Sequence, residues 1–240
     1  MITVSALSKR FKEANAVNAI SFACRQGEIF GLLGENGAGK TTTLRMLATI
    51  LRPTGGTATI AGHDLIREPA EVRRRIGFLT GDSGLYDRLT TREVLGFFGR
   101  MYDLPRQAIK SRTDELIAWL GMESFADRRT AQFSRGMKQK VSIARSLIHD
   151  PPVLLFDEPT AGLDVTSARA VDELILKARA DGKTIILSSH IMSEVEKLCD
   201  RVAIIHRGEI IACDTIAALK ANEKQTQLED IFVRLVGEER

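Results

Sequence analysis

The chain has 240 residues, 44% of them hydrophobic and 27% charged, with a formal net charge of +3. This balance excludes a disordered or fibrous chain, and so small a charge calls for no polyanionic partner. Nucleic acid is therefore not expected to bind, and the clusters Arg73-Arg74-Arg75 and Arg128-Arg129 read as solvated helix faces.

The length sits at the upper edge of a single domain and sets the expectation of one domain with a smaller lobe inserted in it. Cys24, Cys199 and Cys213 are odd in number and fit no C-x-x-C pattern, which argues against a disulfide framework or a zinc site and for a cytosolic chain. No apolar run approaches the roughly 20 residues of a membrane span, so any membrane role is expected to pass through a partner.

In chain order, short β-rich runs come first: Ile2–Val4, Ala19–Ala23, Glu28–Leu33 and, after Pro53-Thr54-Gly55-Gly56, Thr57–Ala61. They predict a small antiparallel layer beside a helix over Thr42–Leu51. Between about Leu85 and Asp150 the apolar spacing becomes helical, as in Val94-Leu95-Phe97-Phe98 and Leu116-Ile117-Trp119-Leu120, and marks the candidate inserted lobe. Buried-strand runs return at Val153–Phe156, Thr184–Leu187 and Val202–Ile205, around an amphipathic helix over Thr166–Ala180. That alternation predicts a parallel α/β sheet. Ile204–Cys213 reads as a hairpin turning at Arg207-Gly208, and the tail from Asp214 reads as helical and charged.

Gly34-Glu35-Asn36-Gly37-Ala38-Gly39-Lys40-Thr41 satisfies G-x-x-x-x-G-K-[ST] between a strand-like and a helical segment. Its glycines let successive N–H groups turn toward phosphate oxygens, and the following helix offers its positive dipole end to the same charge. Lys40 would reach the outer phosphates of a nucleoside triphosphate, the Thr41 hydroxyl would hold Mg²⁺, and Thr42 would support the phosphates. A chance match has odds of about 1% at ordinary glycine frequency. No N-K-x-D segment is present to read guanine, which leaves ATP as the expected nucleotide.

Val153-Leu154-Leu155-Phe156-Asp157-Glu158 is a buried strand ending in two acids, at the sheet edge where α/β folds bind ligands. Asp157 is the expected Mg²⁺ partner and Glu158 the expected general base for water. His190 follows Thr184–Leu187 and Ser188-Ser189 at a second strand end, where a contact to the γ-phosphate is expected. His63, His149 and His206 read as structural or surface residues.

Taken together these residues resemble the ATP-binding cassette family, the nucleotide-binding subunits of ABC transporters, over essentially the whole chain. Gly34–Thr42 and Val153–Glu158 match its Walker A and B motifs, Phe133-Ser134-Arg135-Gly136-Met137-Lys138-Gln139-Lys140 resembles its signature, and Val141–Leu147 continues the signature helix. Ala161-Gly162-Leu163-Asp164 matches the D-loop, His190 the switch histidine, and Phe11 the aromatic that stacks on adenine.

The resemblance implies an α/β P-loop NTPase core with a mostly parallel sheet, an N-terminal antiparallel β-subdomain and an inserted α-helical subdomain. It implies one domain over residues 1–240, with 1–84 and 151–240 as the core and about 85–150 as the insertion. It further implies that Ser134, Gly136 and Asp164 face the nucleotide of a second copy in a head-to-tail dimer. The expected activity is transport-coupled ATP hydrolysis with Mg²⁺, powering a separate membrane permease from the cytoplasmic face.

Phe133, Arg135 and Met137 depart from the commonest signature in a way familiar among ABC-2-type exporters, and Phe11 replaces a tyrosine. Gly81 stands where the family has a metal-sensing glutamine, with Asp82 or a water as the expected substitute. Gly37–Leu51 and Ile76–Phe98, especially Gly84-Leu85-Tyr86-Asp87-Arg88-Leu89-Thr90, are similar to bacterial sodium-extrusion ATPase subunits. The competing reading, a non-transport ABC ATPase acting on nucleic acid or ribosomes, is disfavoured by the single cassette and the lack of coiled coils.

Overall fold

A computed structural model describes residues 1–12, 14–80 and 84–238. Its central element is a six-stranded sheet in the order β10-β9-β3-β8-β7-β6. The strands β3 (Ile29–Leu33), β6 (Ile76–Leu79), β7 (Val153–Asp157), β8 (Thr184–Ser189) and β9 (Arg201–His206) run parallel to one another. β3, β7 and β8 are buried along their whole length, which is why they read as unbroken apolar runs.

β10 (Glu209–Thr215) closes one edge antiparallel to β9. The turn between them is Arg207-Gly208, at φ 45° and 85°, the left-handed pair that a two-residue hairpin requires. The fold is thus the expected α/β class, with a mixed, mostly parallel sheet.

A four-stranded antiparallel sheet, β2-β1-β4-β5, covers one side. It comprises β1 (Ile2–Phe11), β2 (Ala14–Cys24), β4 (Gly55–Ile60) and the short β5 (His63–Asp64). β1 and β2 are far longer than the runs Ile2–Val4 and Ala19–Ala23 suggest. Irregularities in their pairing, with Ala6 at φ 47°, shift the side-chain alternation part-way along and hide the period of two. Phe22 of this layer stacks on Phe30 of β3 with ring centroids 5.0 Å apart, joining the two sheets.

Helix α1 (Lys40–Leu47) packs in the same core through Leu44, Met46 and Leu47. It starts two residues earlier and stops four earlier than expected, because Thr49 turns left-handed at φ 60° and the N–H groups of Thr49 and Ile50 fold back onto Met46 and Arg45.

The short helix α2 (Pro69–Arg75) precedes β6 and carries Arg73, Arg74 and Arg75, with Arg74 paired to Glu71 on its own surface. Arg128 and Arg129, by contrast, are exposed in a bend and in an isolated bridge to Thr90, and not on a helix face. Between β6 and β7 run α3 (Thr91–Met101), α4 (Arg106–Trp119) and α5 (Arg135–Leu147), whose apolar faces share one core with the sheet.

Thr90 caps α3 in a reciprocal capping box with Glu93. α6 (Val165–Ala180) lies on this second side of the sheet. α7 (Met192–Leu198), α8 (Ile216–Glu223) and α9 (Leu228–Glu238) enclose a third core with Leu33, Val202 and Ile204. The charged tail is therefore amphipathic, with Leu228, Ile231 and Phe232 buried. Among the described residues no helix is long and apolar enough to cross a membrane.

Candidate functional site

Because β3, β7 and β8 are adjacent and parallel, the segments leaving their carboxyl ends converge on one edge of the sheet. From β3 comes the phosphate loop. Gly34 is buried against the Ile205 carbonyl oxygen, which a Cβ at this position would strike. Gly39 sits at φ 112°, and a Cβ there would lie 2.6 Å from the carbonyl oxygen of Ala16. Both are places where only glycine fits.

Three of the loop's carbonyls already have donors: Ala38 O accepts from Gly208 N at 3.0 Å, and Gly34 O and Glu35 O accept from Lys40 Nζ at 2.7 and 3.0 Å. α1 has no side-chain cap and no acid in its first turn. Among the described residues no side chain caps its first N–H groups, which suits them to an anion. Glu35, Asn36 and Gly37 are exposed at the loop's rim, Ala38 is buried, and Thr42 is half-buried on α1.

Lys40 is only 3% exposed, and burial pushes its ammonium below the usual lysine range while the nearby Glu158 and Asp157 carboxylates oppose that drift. A phosphate chain in this cradle would supply the counter-charge that a buried ammonium requires.

Asp157, at the end of β7, is buried and its Oδ1 accepts from Thr41 Oγ1 at 3.0 Å and from Ser188 Oγ at 2.7 Å. A carboxylate and a hydroxyl side by side are hard oxygen donors of the kind Mg²⁺ takes, alongside substrate phosphate and water. These two residues fit the metal that the sequence pattern implies.

Glu158 has its backbone in the left-handed region at φ 48°, held there by its N–H donating to Ser188 O and Oγ at 3.2 and 3.1 Å. A left-handed backbone at a residue other than glycine costs about 1–3 kcal/mol. Glu158 Oε1 lies 3.6 Å from Lys40 Nζ and 3.2 Å from His190 Nδ1, with His190 itself largely exposed. Lys40, Thr41, Asp157, Glu158 and His190 are thus brought together.

The remaining candidates lie elsewhere. Phe11, at the end of β1, is 44% exposed with the Lys9 ammonium 5.0 Å from its ring centroid. Ser134 caps α5, accepting from Met137 N at 3.2 Å, and is exposed; Gly136 packs so closely on α6 that a Cβ would lie 2.5 Å from Ser167 Oγ. Asp164 caps α6, accepting from the N–H groups of Thr166 and Ser167 and from the Ser167 hydroxyl, and these bonds hold its carboxyl below the usual range.

No hydrogen bond joins Ser134, Gly136 or Asp164 to the phosphate loop among the described residues. The signature departures have local reasons: Phe133 is a core residue set edge-on to Phe125 at 5.1 Å, and the Arg135 guanidinium lies against Gly162, where no side chain intervenes. Gly81 and Asp82 lie outside the described residues.

Sequence reading missed Ser188, which bonds Asp157 through its hydroxyl and Glu158 N through both hydroxyl and carbonyl. It missed Gln139, whose side-chain amide donates to the Pro159 carbonyl, and it missed Glu194, which bonds Thr160 and Ser189. A serine at the end of a buried strand was the one visible signal.

A family model described as ABC transporter matches residues 17–161. The chain is 48% identical over 238 residues to the ABC transporter ATP-binding protein NatA of Bacillus subtilis strain 168, covering 97% of each. It is 41% identical over 212 residues to the Nod factor export ATP-binding protein I of Ralstonia nicotianae, covering 88% of this chain and 66% of that one.

Among solved structures, an ATP-binding subunit of an ABC transporter superposes with a TM-score of 0.89 at 31% identity, over 98% of this chain and 99% of that one. A dimeric ATP-binding cassette in a post-hydrolysis state, bound to ADP and Pi, superposes with a TM-score of 0.80 at 26% identity, over 90% and 99%. With the phosphate loop, the strand-end acids and these likenesses over nearly its full length, the chain belongs to the ABC transporter family as an ATP-binding subunit.

Proposed function

We propose that the chain hydrolyses ATP and that this hydrolysis drives an ABC-2-type exporter through a separate membrane permease. The observation that carries the reading is the position of Glu158, between Lys40 at 3.6 Å and His190 at 3.2 Å and one residue beyond the Asp157–Thr41 pair. Lys40 neutralises charge on the β- and γ-phosphates, and the backbone of Gly34–Thr42 cradles them. Thr41 and Asp157 would hold Mg²⁺, which when bound would draw charge off the phosphate oxygens. Glu158 takes the proton of the attacking water, and His190, within hydrogen-bond reach of Glu158, orients that carboxylate and contacts the γ-phosphate.

One chain supplies one half of each site. Ser134, exposed at the start of α5, and Gly136 beside it face the nucleotide of a second copy, with Asp164 nearby, so that two copies close head to tail around two ATP molecules. The dimeric form of the related cassette supports this arrangement. Phe11 stacks on the adenine. Residues 85–150 form an inserted helical subdomain within a single domain spanning 1–240.

The chain works at the cytoplasmic face of the membrane, held there by its permease. Likeness to a Nod factor export protein supports outward transport, and the stretches similar to sodium-extrusion subunits make a sodium-exporting permease the first partner to test.

Glu158→Gln tests the chemistry. It should slow hydrolysis about a hundredfold, the scale of a lost general base, and leave an ATP-trapped dimer visible by size exclusion. Wild-type turnover in the variant overturns the assignment of the base, and monomers only, at saturating ATP, overturn the shared site. Co-purification with a polytopic membrane protein from detergent extracts is expected; ribosomes or DNA in its place refute the transport role.

A further inference from the structure

Glu194 is the second acid of the site region that is out of water, at 8% exposure, and no step assigned above uses it. It sits on α7, facing inward, and burial pushes its carboxyl above the usual range. Two hydroxyls donate to it: Thr160 Oγ1 to Oε1 at 2.6 Å, and Ser189 Oγ to Oε2. Both donors are themselves buried. Thr160 lies two residues after Glu158, in the turn where Ala161 N bonds back to Glu158 O at 3.1 Å. Ser189 immediately precedes His190, and its Oγ also accepts from Ile191 N at 3.0 Å, so the same serine shapes the turn that presents the histidine.

These contacts close a ring. From Glu158 the chain runs through Pro159 to Thr160, crosses to Glu194, crosses again to Ser189, passes to His190, and returns to Glu158 through the 3.2 Å contact. The two residues given the chemistry stand on different loops, one after β7 and one after β8. Glu158 is tied to β8 at its own backbone, through its N–H to Ser188, and touches His190 through its side chain, but past Glu158 the first loop needs a further tie to the end of β8. Ser188 makes that first tie, and Glu194 makes the next, joining Thr160 in the loop after β7 to Ser189 at the end of β8.

We propose that Glu194 is a positioning residue for hydrolysis: by holding Thr160 and Ser189 on its two carboxylate oxygens it sets the separation of Glu158 and His190. The inference rests on the roles given to those two residues above. Misplacing a reacting group by about 1 Å costs up to a hundredfold in rate, so a partly relaxed loop predicts a loss of about tenfold.

The test compares wild type with Glu194→Ala, Glu194→Gln and Thr160→Val, all as full chains with Mg²⁺ and ATP, measuring kcat, the ATP dissociation constant and melting temperature. Glu194→Ala should lower kcat about tenfold and leave ATP affinity within about twofold, since the phosphate loop is untouched. Glu194→Gln keeps one acceptor and adds a donor that either hydroxyl can accept, and should recover kcat to within about threefold of wild type. Thr160→Val, which cuts one arm of the ring and keeps the side-chain volume, should lower kcat in the same sense and serves where the alanine variant does not fold.

Wild-type kcat in folded Glu194→Ala or Thr160→Val overturns the proposal. So does a loss of kcat that only tracks the unfolded fraction, or a glutamine variant no better than alanine. Failure of the underlying reading looks different: Glu158→Gln or His190→Ala would then turn over ATP like wild type, whatever Glu194 does.

Discussion

His149 offers a pH test of how the helical stretch is fastened to the sheet. It lies just past α5, with Nε2 2.9 Å from the carbonyl oxygen of Ile76 at the start of β6 and its ring stacked on Tyr102 at a centroid distance of 3.6 Å. Nε2–H donates to that carbonyl, and Nδ1 has no partner among the described residues. Burial pushes its pKa from 6.5 down to about 4; the Ile76 carbonyl and Asp150 pull it up, while Lys183 and Arg112 press it further down.

The unfolded chain therefore takes up a proton below pH 6.5 that the folded chain refuses until about pH 4. Stability from this residue is complete above pH 6.5 and is lost as pH falls through that window, at about 1.4 kcal/mol per unit. Between pH 7.5 and pH 5 the loss comes to about 2 kcal/mol. His149→Phe keeps a ring against Tyr102, removes the titration, and loses the bond to Ile76 equally at both pH values. Urea unfolding followed by the fluorescence of Trp119, the single tryptophan, should show wild type losing about 2 kcal/mol more than the variant between the two pH values. Equal losses would refute the buried neutral imidazole.

Gly39→Ala forces a side chain onto φ 112° and against the Ala16 carbonyl, and should cost about 1–3 kcal/mol of stability and abolish ATP binding by equilibrium titration. Gly136→Ala pushes on Ser167 Oγ and, through it, on the cap that Asp164 provides to α6. It should destabilise by about 1 kcal/mol in wild type and by much less in a Ser167→Gly background, as a thermal double-mutant cycle would read. Asp200→Ala removes the acceptor of Ile29 N at 2.9 Å and the partner of Arg179 at 2.5 Å. That end of β3 is remote from Gly34, so stability should fall by about 1–2 kcal/mol with ATP affinity unchanged, and a weakened affinity in binding assays would contradict this separation.

The parts of the site that were legible in the sequence are those carried by consecutive residues. Gly34–Thr42 announces a phosphate cradle because the strand, turn and helix it needs are all local. Likewise an apolar run ending in Asp157-Glu158 announces a strand end, and the parallel pattern places that end beside the loop. What stayed hidden is the wiring between segments. Hydrophobic period identifies which face a strand buries, but the pairing of Asp157 with Ser188 is a register between strands 31 residues apart, and period carries no information about it. The same holds for Glu194 and Thr160, separated by 34 residues.

Phe133 looked like a deviant motif residue and is a core aromatic, since a short motif cannot reveal what packs against it. The consequence is physical. Glu158 stands at φ 48°, outside the ordinary preference of a loop acid, with its N–H bound to Ser188. Its left-handed backbone is anchored to the neighbouring strand by that N–H, while its carboxylate meets Lys40 and His190. The chemical identity of the candidate base is thus written at position 158, and the anchor of its backbone is written at 188.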